Sequence, residues 1–212
     1  MEHLFWLFPG ELCGRPGPNH QPWQAETLRA AGVGAVLSVN DGESVYADDF
    51  TRLGMTHRCV PLARNAPPRD GDLELCRERL PLAYAWARGE IEAARPVLVH
   101  CRQGKDRTGL FMAYYLMARN GLDRDSAIAR VMQLRPIALT ATGWDRFAPQ
   151  VLDACAADIA DSTGRSTLQV PVPPSLTFCA ELIYWQAFVV DDSVTGGLPL
   201  CYTGAEQWIL GR

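Results

Sequence analysis

The stretch that decides the fold of this 212-residue chain reads His100-Cys101-Arg102-Gln103-Gly104-Lys105-Asp106-Arg107-Thr108. It follows an apolar run over 96–100, which is typical of a buried strand in a parallel sheet, and it leads directly into a helical pattern over 108–119. A loop between a strand and a helix N-terminus can turn its backbone N–H groups toward one point and bind an anion there. Gly104 supplies the backbone freedom that such a turn requires.

The two reactive side chains of this stretch are Cys101 and Arg107, with five residues between them. The planar guanidinium of Arg107 can hold two phosphate oxygens at once, which a lysine could not do. The positive surroundings favour the thiolate form of Cys101, which attacks phosphorus and yields a phosphocysteine for water to hydrolyse. The hydroxyl of Thr108 is placed to donate to the sulfur when it leaves. The predicted substrate-binding residues are Arg102, Gln103, Gly104, Lys105, Asp106 and Arg107.

The rest of the first 157 residues alternates between predicted strands and predicted helices. Apolar runs predict strands over 4–8, 35–39, 56–62 and 96–100. Helical patterns cover 23–31, 45–53, 72–94, 108–119, 124–134 and 144–157, with Asp72 and Asp123 as N-terminal caps. This alternation predicts an α/β fold with a central, mostly parallel sheet flanked by helices.

The C-terminal part of the chain differs from the rest in its charge. Residues 1–155 hold 18 acidic and 18 basic side chains, whereas 156–212 hold 6 and 2 and account for the net charge of −4. We therefore expect a catalytic domain over 1–157 and an extension over 158–212, which holds a linker followed by a hairpin or a helix. The neutral first part shows no basic stripe, which argues against nucleic acid as a partner.

The seven cysteines are irregularly spaced and form no CxxC pair. This pattern predicts neither a zinc site nor a disulfide framework, so we expect no metal, no other cofactor and the reduced thiols of a cytoplasmic protein. No run approaches the roughly 18 apolar residues of a membrane span, and the first residues lack the basic leader of a signal peptide. We therefore expect no stable membrane insertion.

Several stretches of this sequence resemble one known family. His-Cys-x5-Arg-Thr between a strand and a helix looks like the protein tyrosine phosphatase superfamily, specifically its small dual-specificity branch. The opening strands of bacterial members and of the cyclin-dependent kinase inhibitor-type phosphatases resemble Pro9-Gly10-Glu11-Leu12 with Gly14-Arg15-Pro16, then Gly32-Val33 before Val36-Leu37-Ser38-Val39. Their C-terminal part resembles Leu134-Arg135-Pro136 followed by a helix. The resemblance covers about residues 4–155. It implies a cysteine-dependent phosphatase fold and the hydrolysis of phosphotyrosine, phosphoserine or phosphothreonine in proteins.

The general acid is the part of the family pattern that this sequence does not match. Family members carry an aspartate roughly thirty residues before the cysteine, where it protonates the leaving oxygen and then activates water. This chain has Arg64 at that place. Asp70 and Asp72 follow on the same loop, and Asp106 lies in a Lys-Asp-Arg-Thr run that resembles bacterial tyrosine and lipid phosphatases and myotubularins. We predict Asp106 as the acid, with Asp70 as the alternative.

Two basic residues of the loop, Arg102 and Lys105, suggest a second class of substrate besides phosphorylated proteins. Lipid phosphatases related to tensin carry basic residues at the same two positions, where these meet extra phosphates on an inositol ring. A phosphoinositide or an inositol phosphate is therefore the alternative to a phosphorylated protein. A third hypothesis is a catalytically weak phosphate-binding module, which the altered acid position favours and the intact cysteine and arginine oppose.

Overall fold

The structure is a computed structural model, and it describes residues 3–42, 47–64 and 66–156 together with the backbone of four short strands between 182 and 209. Backbone contacts divide the chain into two units, Met1–Leu168 and Gln169–Arg212. The domain boundary expected at 157/158 lies outside the described residues, as does the linker expected after it. In the described ranges, no helix combines the length and the apolar character that crossing a membrane requires.

The first unit is built on a five-stranded sheet. Its strands are β1 Phe5–Phe8, β2 Leu12–Pro16, β3 Ala35–Ser38, β4 Thr56–Cys59 and β5 Val97–Cys101. They lie in the order β1-β2-β5-β3-β4, with β1 antiparallel to β2 and the other neighbours parallel. β5 is therefore the middle strand, and it is buried along its whole length. A loop that leaves its carboxyl end lies between the ends of β2 and β3.

Helices of the described part of the chain cover both faces of this sheet. They are α1 Ala25–Ala30, α2 Ala47–Arg52, α3 Asp72–Glu92, α4 Asp106–Asn120, α5 Arg124–Leu134 and α6 Trp144–Ala156. Alternate residues of β5 face opposite sides. Leu98 packs in a core with Leu28 of α1 and Phe50 of α2, whereas Val97 and Val99 belong to the larger core that includes α3 to α6. The predicted α/β fold, with a central mostly parallel sheet flanked by helices, is confirmed.

One strand of the sheet, β2, is absent from the strands that the local pattern predicts, although its residues lie in the stretch that resembles the opening strands of the phosphatases. Its residues include Gly14 and Pro16, which are poor strand formers, so the local pattern gives little indication of a strand. Pairing with β5 imposes the extended conformation, with a register that runs from Leu12 opposite Val97 to Pro16 opposite Cys101. Tertiary pairing therefore overrides local propensity here.

The predicted caps of the two helices α3 and α5 have different outcomes. Asp123 caps α5 as predicted, because its side chain accepts the backbone N–H of Ser126 at 2.9 Å. The prediction that Asp72 caps α3 is wrong. Gly71 occupies the cap position in the left-handed conformation, and Asp72 is the first helical residue, whose carboxylate accepts N–H groups of the preceding loop instead.

The second unit contains two antiparallel strand pairs. β6 Leu182–Trp185 pairs with β9 Glu206–Ile209, and β7 Phe188–Val190 pairs with β8 Leu200–Tyr202. The β7–β8 pair lies between β6 and β9 in the chain, so the four strands are nested in sequence.

Candidate active site

Cys101 is the last residue of β5, and α4 begins five residues later at Asp106. The connecting loop therefore lies between the carboxyl end of the middle strand and the N-terminus of a 15-residue helix. Both the loop amides and the positive end of the helix dipole favour an anion at this point. Cys101 is 2% exposed, so its sulfur lies at the base of the loop rather than on its rim.

The end of β2 forms the floor on which this loop lies. The backbone N–H of Gly17, the residue after β2, donates to the carbonyl oxygen of Cys101 at 2.8 Å. Gly104 has a φ of +58°, and a Cβ at this position would lie 2.5 Å from backbone atoms of Arg15 and Pro16. Only glycine can adopt this conformation and this approach together. The shape of the loop thus depends on a strand that lies far away in the sequence.

Thr108 contacts the sulfur of Cys101 directly. Its hydroxyl donates to Sγ across 3.2 Å, and both side chains are buried. A hydrogen bond to the charged form of a group favours that form. The contact therefore suits a thiolate, both before it attacks and when it is released.

Arg107 lies in the first turn of α4 and is contacted from two sides. Its Nε–H donates to the carbonyl oxygen of Ala63, in the loop that follows β4. Its guanidinium carbon lies 5.3 Å from the ring centre of Trp144, the first residue of α6. Among the described residues, its two terminal nitrogens have no hydrogen-bond acceptor, so both can reach phosphate oxygens.

His100, the residue before the cysteine, is fully buried. Its Nε2 lies 2.7 Å from Oγ of Ser38, and the same Oγ lies 2.9 Å from Nε2 of His57. The ring of Trp23 packs against the His100 ring with 5.1 Å between centroids. Burial, together with the nearby His57, lowers the pKa of His100 to about 3. His100 is therefore neutral near pH 7 and anchors the strand end that carries Cys101.

Asp106 is the first residue of α4 and is 5% exposed. Its Oδ1 accepts the backbone N–H of Ala141 at 3.1 Å. Burial raises the pKa of Asp106, against the opposing influence of the Ala141 N–H and the cations Lys105 and Arg107. A raised pKa keeps a carboxyl protonated closer to neutral pH, as a general acid requires.

The loop over 61–71 carries Arg64 at the position where family members have the aspartate that acts as general acid. The side chain of Arg64 is exposed, and its backbone N–H donates to the carboxylate of Asp72 at 3.1 Å. Asp72 is buried and also accepts the N–H of Arg69 at 2.9 Å, so it ties the loop to the start of α3. Asp70 is exposed. Of the two aspartates that follow Arg64, Asp72 at the start of α3 is structural and Asp70 on the loop is exposed.

The outer side of the phosphate loop carries Arg102 and Gln103, which are exposed, and Lys105, which is half-buried. Nη2 of Arg135 donates to the carbonyl oxygen of Gln103 at 3.4 Å. The same guanidinium lies 5.5 Å from the ring centre of Phe5. Arg135 thus holds the outer backbone of the loop from the segment after α5.

Sequence analysis did not place Trp144, Ser38 or Ala63 at the site. From the sequence, Trp144 was recognisable only as the start of a helix, and Ser38 only as part of a buried strand. Arg135 had a stronger signal, because it lies in the stretch Leu134-Arg135-Pro136 that resembles the phosphatases. Ser38 and Ala63 lie near the loop because the parallel strands end at one edge of the sheet, whereas Trp144 and Arg135 reach it because α5 and α6 pack against α4.

The described cysteines differ in their surroundings. Cys76 is buried in α3, and its sulfur accepts the N–H of Ala63 at 3.3 Å. Burial raises the pKa of the Cys76 thiol to about 12, which makes it a poor nucleophile. Cys101 instead lies at a helix N-terminus. In the described ranges, no group of three histidine, cysteine, aspartate or glutamate side chains is placed to hold a metal ion.

A family model described as "PTP-SAK: Swiss Army Knife protein, DSP-PTPase phosphatase domain" matches residues 1–149. The match covers more than half of the chain and includes the whole phosphate loop and Trp144. The chain belongs to this family of dual-specificity phosphatase domains. It is a cysteine-based protein phosphatase and an enzyme of the protein tyrosine phosphatase superfamily.

Solved structures with the same fold include three phosphatases of low sequence identity. Tk-PTP in its active form is 20% identical with a TM-score of 0.55, and the match covers 73% of this chain and 97% of that one. Human DUSP28 is 22% identical with a TM-score of 0.55, covering 73% and 95%. A mouse putative dual specificity phosphatase is 19% identical with a TM-score of 0.57, covering 74% and 90%. At these identities the likeness establishes the fold.

Proposed function

We propose that Cys101 is the nucleophile of this phosphatase and that Arg107 binds the phosphate under attack. The observation that carries the proposal is the position of the buried Cys101 sulfur at the start of α4, with the Thr108 hydroxyl 3.2 Å away. The helix N-terminus and the loop amides favour both the thiolate and a bound phosphate dianion. Arg107, on the same helical turn, adds a planar fork for two phosphate oxygens.

The reaction consists of two displacements at phosphorus. In the first, Sγ of Cys101 forms the S–P bond while the bond to the leaving oxygen breaks, and a general acid gives that oxygen its proton. In the second, water attacks the phosphocysteine and gives a proton to the same carboxylate, and the S–P electron pair returns to sulfur. Thr108 stabilises the departing thiolate by its hydrogen bond, and Arg107 offsets the charge on the transferred group in both steps.

Asp106 is the general acid that we favour. Its position between Lys105 and Arg107 and its raised pKa support this role. Asp70 is the alternative because it is exposed and lies on the loop whose Ala63 contacts Arg107. Asp72, the first residue of α3, is set aside, since each of its carboxylate oxygens already accepts a backbone N–H.

The proposed substrates are phosphotyrosine, phosphoserine and phosphothreonine residues in proteins. The mouse phosphatase was solved as a complex with zinc tungstate, and tungstate is a tetrahedral oxyanion like phosphate, which supports oxyanion binding by the shared fold. The residues proposed to surround the phosphate are Arg102, Gln103, Gly104, Lys105, Asp106 and Arg107. The irregular spacing of the seven cysteines, with no CxxC pair, supports the proposed cytoplasmic location.

The test is phosphate release from a panel of substrates by the wild type and by Cys101→Ser. The panel contains phosphotyrosine, phosphoserine and phosphothreonine peptides, a phosphoinositide in micelles and an inositol phosphate. We expect the wild type to act fastest on a phosphopeptide and Cys101→Ser to lose at least about 10⁴-fold in kcat, because no other group forms the covalent intermediate. Cys59→Ser, which removes an exposed thiol of β4, is the matched control and should retain full activity.

Each contrary result has a distinct meaning. Equal, slow release by the wild type and Cys101→Ser would contradict the nucleophile and favour a phosphate-binding module. Faster release from an inositol phosphate than from every phosphopeptide would overturn the protein substrate while leaving Cys101 in place. Arg102 and Lys105 would then be the residues that meet the additional phosphates.

A further inference from the structure

Trp144 lies directly beside the phosphate-binding arginine. It is fully buried at the start of α6, and the guanidinium carbon of Arg107 lies 5.3 Å from its ring centre. Among aromatic side chains, the indole ring attracts a cation most strongly, and the attraction grows where water is excluded. The ring therefore acts on the one side chain of the loop that is proposed to grip the phosphate.

The indole is an unfavourable choice for packing alone. Its Nε1–H is buried, and no acceptor for it exists among the described residues. A buried donor without an acceptor destabilises a fold, and a phenylalanine would fill much of the same space without that cost. An indole at this position is therefore better explained by what its ring does to Arg107 than by core packing.

The contacts on the two sides of Arg107 come from segments that touch each other. Gly143, with a φ of +79°, lies so close to the loop over 61–71 that a Cβ there would be 3.3 Å from Pro67 and Pro68. That loop also carries Ala63, whose carbonyl accepts the Nε–H of Arg107. Arg107 is thus enclosed between a carbonyl and a ring that belong to two segments in close contact.

The same turn reaches Asp106 as well. The backbone N–H of Ala141 donates to Asp106, and the N–H of Trp144 donates to the carbonyl of Ala141 at 2.9 Å. The turn over 141–144 therefore contacts two consecutive charged residues at the start of α4. This arrangement is suited to fixing where those side chains point.

We propose that Trp144 is a positioning residue, which holds the guanidinium of Arg107 in the orientation that binds phosphate. The proposal deepens the function proposed above and rests on the role of Arg107 in it. Loss of the ring frees the guanidinium to adopt other rotamers, so phosphate binds more weakly. The hydrogen bond between Thr108 and Cys101 does not involve Trp144, so the nucleophile remains competent.

The test compares Trp144→Leu with Trp144→Phe, and both with Phe147→Leu. Kinetics on an aryl phosphate give kcat and KM, and competition by inorganic phosphate gives a Ki that measures phosphate binding without the chemical step. Trp144→Leu should raise the Ki of phosphate about 10-fold and lower kcat/KM at least as much, whereas Trp144→Phe should stay within about 3-fold because it keeps an aromatic face. The pH limbs of kcat should not move, since no titrating group is changed.

Phe147→Leu is the matched control for lost packing. Its ring lies 5.3 Å from Trp144 between centroids, and no ring–cation pair joins it to Arg107 in the described part of the chain. It should lower the urea midpoint but leave the Ki of phosphate unchanged. The proposal is overturned if Trp144→Leu and Phe147→Leu change the Ki equally under conditions where both are folded, or if Trp144→Phe is as impaired as Trp144→Leu. Activity of Cys101→Ser would instead contradict the proposed nucleophile, while the Ki series still decides the role of Trp144.

Discussion

The loop over 101–108 and the loop over 61–71 leave the same edge of the sheet, but they are held in different ways. The first is bound to β2 by backbone contacts at Gly17 and Gly104, and it presents its side chains to one point. The second is tied to the start of α3, because two of its backbone N–H groups donate to the buried carboxylate of Asp72. It also offers Arg107 a backbone carbonyl. The comparison indicates a division of roles, because the second loop supplies position while the first carries both the residues proposed to bind phosphate and the proposed general acid, Asp106.

The largest effect is expected when the first loop can no longer curve tightly against β2. Gly104→Ala places a Cβ 2.5 Å from backbone atoms of Arg15 and Pro16 at a φ of +58°. We expect kcat/KM to fall by at least about 100-fold, because a displacement of about 1 Å has that effect, and the free energy of unfolding to fall by about 2–4 kcal/mol. Aryl phosphate kinetics and urea denaturation measure the two effects.

Gly54→Ala is the control for the conformational part of this effect. Gly54 also has a positive φ of +67°, but a Cβ there meets nothing within 4 Å, and the residue follows α2 rather than the site. It should lose about 1 kcal/mol of stability and no activity. Normal activity of Gly104→Ala would show that the contact with β2 does not shape the loop.

The second test asks which loop holds the general acid. For an alkyl phosphate, Asp106→Asn should lower kcat by about 100-fold and remove the basic limb of its pH profile. Burial raises the pKa of Asp106, so in the wild type this limb lies above the ordinary carboxyl range, and the rate falls as the pH rises through it. An aryl phosphate, whose leaving group needs less protonation, should show a smaller effect.

Asp70→Asn is the paired variant on the other loop. It should leave the basic limb of kcat in place, because an exposed aspartate of the second loop is not the favoured acid. If Asp70→Asn removes the limb and Asp106→Asn does not, proton transfer belongs to the second loop and the separation of roles is wrong. Retention of the limb in both variants would exclude both residues.

A third test examines the second displacement within the first loop. Thr108→Val keeps the shape of the side chain but removes the hydroxyl that donates to Cys101 across 3.2 Å. Release of the thiolate should slow by roughly 10-fold, so that a burst of the leaving group precedes steady turnover. Thr108→Ser keeps the hydroxyl and should show neither change. Turnover of Thr108→Val at the wild-type rate without a burst would remove Thr108 from the mechanism.

The smallest effect is expected at Arg64, the residue at the usual acid position. Its side chain is exposed, and the contact that it makes with Asp72 uses its backbone N–H, which alanine retains. Arg64→Ala should therefore change kcat/KM by less than about 2-fold and stability by no more than about 0.5 kcal/mol. Asp72→Ala, by contrast, leaves two N–H groups without their acceptor and should cost about 1–3 kcal/mol in urea denaturation. A tenfold fall in kcat for Arg64→Ala would mean that the second loop takes part in the chemistry.

The strand, loop and helix that carry the site could be predicted, because the sequence patterns that indicate them are local. The apolar run that becomes β5 and the helical pattern that becomes α4 are consecutive in the chain, with Gly104 in the turn between them. The cap Asp123 was equally accessible, since a helix cap acts within three residues. The local pattern did not predict β2, because its conformation comes from pairing with a strand about 85 residues later, and the resemblance to the phosphatases indicated it instead.

Sequence alone determined the phosphate loop, with its cysteine, arginine and threonine, because the geometry that joins them spans one strand end and one helical turn. The surroundings of that loop were decided by folding in three dimensions. Trp144 reaches Arg107 and Ala141 reaches Asp106 only when the helices pack onto the sheet. These contacts join residues 35 or more positions apart or depend on burial, and neither property is written in a local pattern of residues.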